Sequence, residues 1–343
     1  MSYVPVHERV NPPEYPTYAD SMSDSERSVP EGPSKKRRRE EHTPEVDGRH
    51  AAPTPPPASG SGSGSRTDHG APEPAPPPPA TSGISPSIFG IAPRNEVTRV
   101  VGDFIMRFGK GKPNLEIEVK LGTVCNPGPE KRRVRLPALS ETLLPPDYPS
   151  TFSSTMSKQQ HASINNLLNS AVQDSRGAVR FSREQHVDSL YPPPPGLLES
   201  IGHHGSHNDK VRVSTDRGGN VVGTIVKTRL ADLNVYSPGE CFDWRVSLST
   251  ETPVQFEPNS QPVNVREKDR AVYRADTCRV DLTVVTSRQG NKQPSLSYEL
   301  EIEVLDAPGL IAEGEKEERG EPNVFDEVLQ SVLDTARLII RNV

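Results

Sequence analysis

Two segments far apart in the chain, Leu115-Glu116-Ile117-Glu118-Val119-Lys120 and Tyr298-Glu299-Leu300-Glu301-Ile302-Glu303-Val304, alternate an aliphatic or aromatic residue with a charged one. A period of two belongs to β-strands, because successive side chains leave opposite faces of a sheet and every second one shares a face. Five glutamates are thereby confined to single faces of two strands. Same-face neighbours stand about 7 Å apart, and at an effective dielectric near 20 each such pair repels by roughly 2 kcal/mol. A fold that gathers these faces has to supply a cation. An amphipathic strand with one face in water shows the same alternation, so one segment alone decides nothing; it is the basic strands between the two that weigh against a solvated sheet.

Those strands begin only after a long compositional shift. Of the 343 residues, 37 are proline, concentrated in the first ninety positions, where Pro74 to Pro79 and Ser59 to Ser65 are low-complexity runs. Such a segment cannot bury enough apolar area to offset the entropy of ordering it. A disordered tail rich in Pro, Ser and Gly is expected over residues 1–86, followed by one folded domain over residues 87–343. Inside the tail, Lys35-Lys36-Arg37-Arg38-Arg39 is a compact, unpaired basic cluster. It reads as a nuclear address in preference to a solvated charge run, and predicts a nuclear protein. No hydrophobic run approaches a membrane span and the amino terminus lacks a secretory pattern, so a soluble intracellular chain with no membrane partner is expected. Cys125, Cys241 and Cys278 are widely spaced, odd in number and without zinc-ligand spacing, which fits a reducing compartment. The net charge of −6 offers no bulk attraction for a nucleic-acid backbone; an anion site has to be local.

Within the folded part, Asn95 is placed to cap a helix through Arg107, with Val97, Val100, Val101, Phe104 and Ile105 at helical spacing. A second helix is expected over Ser157 to Asp174 and a last one over Val324 to Ile340. Strands are expected at Leu115 to Lys120, Phe181 to Leu190, Lys210 to Asp216, Val221 to Asp232, Cys241 to Thr250, Asn264 to Ala275, Arg279 to Ser287 and Ser297 to Asp306. Arg217-Gly218-Gly219-Asn220 has the composition of a hairpin turn, a better account of the Gly-Gly pair than a phosphate cradle. His203, His204 and His207 lie in a Gly- and Ser-rich loop without a partner motif and read as a polar loop in preference to a metal site.

Read in two faces, the strands sort their charges. Arg212, Ser214 and Asp216 oppose Val211, Val213 and Thr215; Lys227 and Arg229 share a face; Arg245, Ser247, Ser249 and Glu251 oppose Trp244, Val246 and Leu248. Arg266, Lys268 and Arg270 align, as do Arg279 and Asp281. Closing the sheet with these faces inward makes a polar lumen, with helices covering the apolar outer faces. Burying so many charges is costly unless they pair or bind ions, and the pattern suits a polyanion together with a divalent cation. The fold class expected is α+β: a closed, antiparallel barrel with a charged interior, flanked by helices.

In order along the chain, LEIEVKLG, VRVSTD, GTIVKTRLADLNVYSPGE, FDWRVSLSTETP, VREKDRAVYR, CRVDLTVV and SYELEIEV resemble the successive strands of the fungal-type mRNA 5′-triphosphatases, the beta subunits of mRNA capping enzymes. These belong to the triphosphate tunnel metalloenzymes, the CYTH-like superfamily. The resemblance covers roughly Ser87 to the end of the sequence and leaves out the tail. It implies an eight-stranded antiparallel barrel whose tunnel takes the triphosphate end of nascent RNA and hydrolyses its γ-phosphate, the first step of cap formation. By position it implies that Glu116, Glu118 and Glu303 ligate Mg2+ or Mn2+, with Glu299 and Glu301 in support. Arg212, Lys268 and Arg270 would bind phosphate, while Lys120, Lys227, Arg229, Arg266 and Arg279 line the walls. Asp281 and Glu251 would position basic side chains or the attacking water, and Asp188 is a further tunnel candidate. An all-oxygen ligand set agrees with magnesium or manganese over zinc.

The same resemblance implies a separate mRNA guanylyltransferase as partner, the alpha subunit of the capping enzyme, with RNA polymerase II reached through it. A homodimer is compatible with it and has no signature in the sequence. Relatives often carry a Trp-containing docking segment ahead of the barrel; here the only tryptophan, Trp244, falls in a strand. Ser85 to Ala92, with Ile88, Phe89 and Ile91, stands as a short partner contact or as a strand or staple onto the barrel. Two other functions compete with RNA triphosphatase: a tunnel hydrolase of free NTP, tripolyphosphate or thiamine triphosphate, and a non-catalytic capping scaffold.

Overall fold

A computed structural model describes residues 87–90, 92–202 and 209–343. In chain order these form α1 (Glu96–Gly109), β1 (Leu115–Cys125), β2 (Thr142–Leu143), β3 (Thr151–Ser153), α2 (Lys158–Asp174), β4 (Arg180–Tyr191), α3 (Leu197–Ser200), β5 (Val211–Thr215), β6 (Val221–Tyr236), β7 (Asp243–Pro253), β8 (Asn264–Arg274), β9 (Cys278–Arg288), β10 (Ser295–Val304), α4 (Ala307–Glu318) and α5 (Phe325–Arg341). The expected tail with its basic cluster, the His203/His204/His207 loop, and Ser85 and Ile91 lie outside the described residues.

The ladder runs β10-β9-β8-β4-β5-β6-β7-β1, and β1 pairs back onto β10, so the eight strands close into an antiparallel barrel. The closing ladder pairs Glu118 to Lys120 of β1 with Glu301 to Glu303 of β10, so neither end strand is left as a free edge there. Short β3 adds onto the far end of β1, and β2 pairs with β6.

Alternation decides which face goes where. On β1, Leu115, Ile117, Val119 and Leu121 point outward into the main core, where they meet Trp244, Val246 and Leu248 of β7, Leu300 and Ile302 of β10, and the apolar faces of α1, α4 and α5. The residues between them face the lumen.

The helices are started by local chemistry. Asn95 caps α1 by accepting from the Thr98 amide at 3.1 Å. Ser157 and Gln160 form a reciprocal capping box on α2, with bonds of 3.1 and 3.0 Å. Asp306 caps α4 by accepting from the Gly309 amide at 2.8 Å. α4 is absent from the sequence-based expectation because its segment carries three glycine or proline residues and a weak apolar stripe; its cap and the contact of Leu310 and Ile311 with the core hold it. Close helix packing has a glycine behind it: a Cβ at Gly102 would stand 2.9 Å from the Phe325 ring. The β5–β6 hairpin turns where expected, with Gly219 at φ +81°.

Ahead of α1, residues Ser87 to Gly90 form an exposed turn, with Ile88 and Phe89 at 95% and 76% exposure. Neither packs on the barrel, so within the described residues the strand or staple alternative is not what this segment does. An exposed turn has no ladder partner to make it a strand. Among the described residues no helix is long and apolar enough to cross a membrane.

Candidate active site

The barrel encloses a cavity of about 610 Å³ lined mostly by charged side chains. Register builds it. Across the closing ladder Glu118 stands opposite Glu303 and Lys120 opposite Glu301; one ladder further, Glu303 meets Arg279 and Glu301 meets Asp281. Across β8 and β4, Glu184 faces Arg270, His186 faces Lys268 and Asp188 faces Arg266. Each residue singled out from the sequence as a site candidate lines this cavity except Glu299, as does Asp188. Glu299 instead takes the Arg266 guanidinium on both oxygens, at 2.9 and 3.0 Å.

Lys227 is the hub of the acidic wall. Its Nζ pairs with Glu116, stands 2.9 Å from Glu118 Oε1 and 3.4 Å from Glu251 Oε1. Lys120 bridges Glu118, at 2.7 Å, and Glu301. On the basic side Lys268 lies 2.6 Å from Asp188, Arg212 donates to Glu251 at 2.9 Å, and Asp281 is shared by Arg279 at 2.9 Å and Arg270 at 3.2 Å. Arg229 reaches Asp232 at 2.7 Å, where Arg245 also pairs at 3.1 Å.

Burial and neighbouring charge set the protonation. Burial, then the adjacent Glu118 carboxylate, pushes Glu116 up to about 8. Burial acts on Glu118 in the same sense, but the Lys120 and Lys227 ammonium groups outweigh it and hold Glu118 far below the usual carboxylate range. Glu303 is raised, chiefly by burial. Lys268 is lowered by burial, with Arg266 and Arg270 adding to it. Around this pair two ammonium groups, Lys120 and Lys227, serve four carboxylates, Glu116, Glu118, Glu251 and Glu301.

A hard divalent cation suits this donor set. Glu118 Oε2 is buried, and the Lys120 ammonium stands 2.7 Å from it, a monovalent charge in the place a divalent ion would take. Among the described residues no three His, Cys, Asp or Glu side chains form a ready-made cage. The carboxylates are held by ammonium groups here, and an oxygen-loving ion that retains several waters needs few protein ligands. Glu116, Glu118 and Glu303 can hold such an ion.

The sequence reading missed some second partners. Ser249 donates to Glu116 at 2.9 Å and Ser214 to Asp188 at 2.6 Å. Glu184 lies 3.3 Å from Arg279, and His186 lines the cavity. Strict alternation from Asp188 points to His186 and Glu184. The serines carry no charge and gave no signal beyond their polar face.

The structural class is a closed antiparallel barrel around a cavity lined by acidic and basic side chains. Residues 91–343 match the family model described as mRNA capping enzyme, beta chain, and the chain belongs to that family. It is 46% identical over 273 residues to the mRNA-capping enzyme subunit beta of Cryptococcus neoformans, covering 76% of this chain and 65% of that protein. It is 30% identical over 256 residues to the subunit of the same name from Schizosaccharomyces pombe, covering 72% of this chain and 81% of the relative. The chain thus spans somewhat less than two thirds of the Cryptococcus protein. The S. pombe Pct1 RNA triphosphatase superposes with a TM-score of 0.68 at 28% identity, over 77% of this chain and 100% of that one. A second structure holds Pct1 in complex with the Spt5 CTD, with the same TM-score of 0.68.

Proposed function

We propose that this protein removes the γ-phosphate from 5′-triphosphate-ended nascent mRNA, leaving the 5′-diphosphate end on which a cap is built. The observation that carries the reading is the sorting of charge inside one closed barrel, Glu116, Glu118, Glu301 and Glu303 on one wall and Arg212, Arg266, Lys268 and Arg270 on the others. A polyanion and a divalent cation together neutralise both. Membership of the capping beta-chain family and the likeness to an RNA triphosphatase support it.

In this reading Glu116, Glu118 and Glu303 hold Mg2+ or Mn2+, which when bound withdraws charge from the phosphoryl oxygens. The remaining work falls to the chain itself. A loose phosphoryl-transfer transition state calls chiefly for an in-line water and neutralised equatorial oxygens. Lys268, Arg270 and Arg212 bind those oxygens, and Lys120 and Lys227, freed from their glutamates, turn to the phosphate chain. Arg229, Arg266 and Arg279 extend the basic wall. Asp281, Glu299 and Glu301 hold the cations at their stations. Glu251, relieved of Arg212 and Lys227, orients the attacking water and takes its proton as the water oxygen bonds to the γ-phosphorus and the bond from that phosphorus to the β-phosphate oxygen breaks.

The family supports a guanylyltransferase as the partner that receives the diphosphate end; RNA polymerase II would be reached through it. The Pct1 complex with the Spt5 CTD supports a segment of that kind as a further partner. The basic cluster at Lys35 to Arg39 supports nuclear localisation, checked by replacing all five residues with Ala and imaging the tagged chain.

The deciding assay is phosphate release from γ-labelled triphosphate RNA, with MgCl2, MnCl2 or EDTA. Metal-dependent release of label is expected. Hydrolysis of tripolyphosphate or free NTP with none of the RNA would replace this reading by a free-triphosphate hydrolase, and no hydrolysis of any substrate would favour the scaffold.

A further inference from the structure

Along β6 the lumen-facing row changes chemistry on its way to the tip of the β5–β6 hairpin. Arg229 and Lys227 come first, then Ile225, then Gly223, all lining the same cavity. Each step is about 7 Å. At Gly223 a Cβ would meet no heavy atom within 4 Å, so the glycine leaves a gap in the wall that faces open space. Its ladder partner is Ser214, whose hydroxyl is turned to Asp188 at 2.6 Å.

The next residue breaks the pattern. Ser214 pairs with Gly223 and Thr215 with Val221, so Val222 is an extra residue, a β-bulge. Strict alternation would send Val222 to the outside of the barrel. The bulge instead turns it to the rim of the lumen, where it lines the cavity while 55% exposed. Bulges at barrel rims re-aim side chains in this way. An exposed branched residue at the rim of a mostly charged cavity is poorly placed for phosphate and well placed for a flat, weakly polar ring.

We infer that Val222, Gly223 and Ile225 form the seat of the first nucleoside of the RNA, with the gap at Gly223 admitting the sugar or base and the two aliphatic side chains packing on it. This rests on the triphosphatase reading above and adds the substrate's other end. The order along β6, from cation to aliphatic to open wall, matches the order of a 5′ end, from phosphates to ribose and base. The seat also separates triphosphate-ended RNA from inorganic tripolyphosphate, which has nothing to place there.

The test compares kcat/KM for a short triphosphate-ended RNA with kcat/KM for tripolyphosphate, in the unsubstituted 343-residue chain and in two variants. Val222→Ser with Ile225→Ser removes the aliphatic contact, and Gly223→Leu fills the gap. Each is expected to lower the RNA-to-tripolyphosphate ratio about tenfold, the scale at which a pocket discriminates by an aliphatic group. A ratio unchanged in both variants, whether the two activities fall together or neither falls, overturns the seat. Failure of the unsubstituted protein to hydrolyse the RNA overturns the triphosphatase reading instead. Tripolyphosphate turnover reports folding, and Val222, being largely exposed, is also tested alone as Val222→Ser with the same ratio.

Discussion

Glu116 and Glu118 lie on one strand face yet are driven in opposite directions, one up to about 8 and the other below the usual range. Lys227 and Lys120 are close enough to favour one charge fully and leave the other without enough compensation. Replacing Glu118 with Ala leaves both lysines without their buried partner and removes a proposed ligand. Phosphate release should fall by about 10²-fold or more, as for the loss of other groups that stabilise transition-state charge; activity within threefold of the parent would remove Glu118 from the site. Asp188 has its own pH signature. Its carboxyl is held below its ordinary 3.8: burial opposes this, but Lys268 and the Ser214 hydroxyl outweigh it. A depressed folded value contributes stability that is present above the unfolded pKa and lost as pH falls through the folded one. Asp188→Asn should therefore destabilise the chain at pH 7 by about 3 kcal/mol, the scale for breaking a buried pair. The difference should shrink below pH 4, as followed by denaturant melts at each pH; a difference constant with pH would show that the carboxylate's charge plays no part.

At the scale of elements, the barrel depends on helices that cover its apolar outside. Gly102 of α1 lets that helix approach Phe325 at the start of α5, with 2.9 Å left for a Cβ. Gly102→Leu gains helix propensity but overfills a packed contact, at a cost of about 1–3 kcal/mol. A lower Tm is expected. A higher one would mean that α5 can shift without loss, and that the glycine is not there for packing. The Asn95 cap is a smaller device of the same kind: Asn95→Ala should cost about 1 kcal/mol, read from the same melts.

At the scale of the whole molecule, the barrel holds a concentration of charge of both signs that only pairing makes tolerable. A cation that binds the folded lumen and not the unfolded chain stabilises by mass action, by about 2.7 kcal/mol at a hundred times its Kd. Mg2+ or Mn2+ should raise the Tm of the parent protein, and the rise should vanish in a Glu116→Ala, Glu303→Ala double variant. An equal rise in both would place the ion elsewhere.

Much of this was legible before the fold was known. The faces of β1, β6, β8, β9 and β10 follow from a period of two, and the cap at Asn95 from a side chain that can accept a backbone amide; these are local properties, present in any window of the chain. Three-dimensional structure alone decided that Glu118 meets Glu303 across the closing ladder and that Lys227 stands among the glutamates. It also decided that Glu299 turns to Arg266, that a bulge sends Val222 to the lumen, and that α4 exists. Each of these depends on register between strands distant in sequence or on burial against a core. A slip of one residue reverses every face, and no local pattern records which strand closes on which.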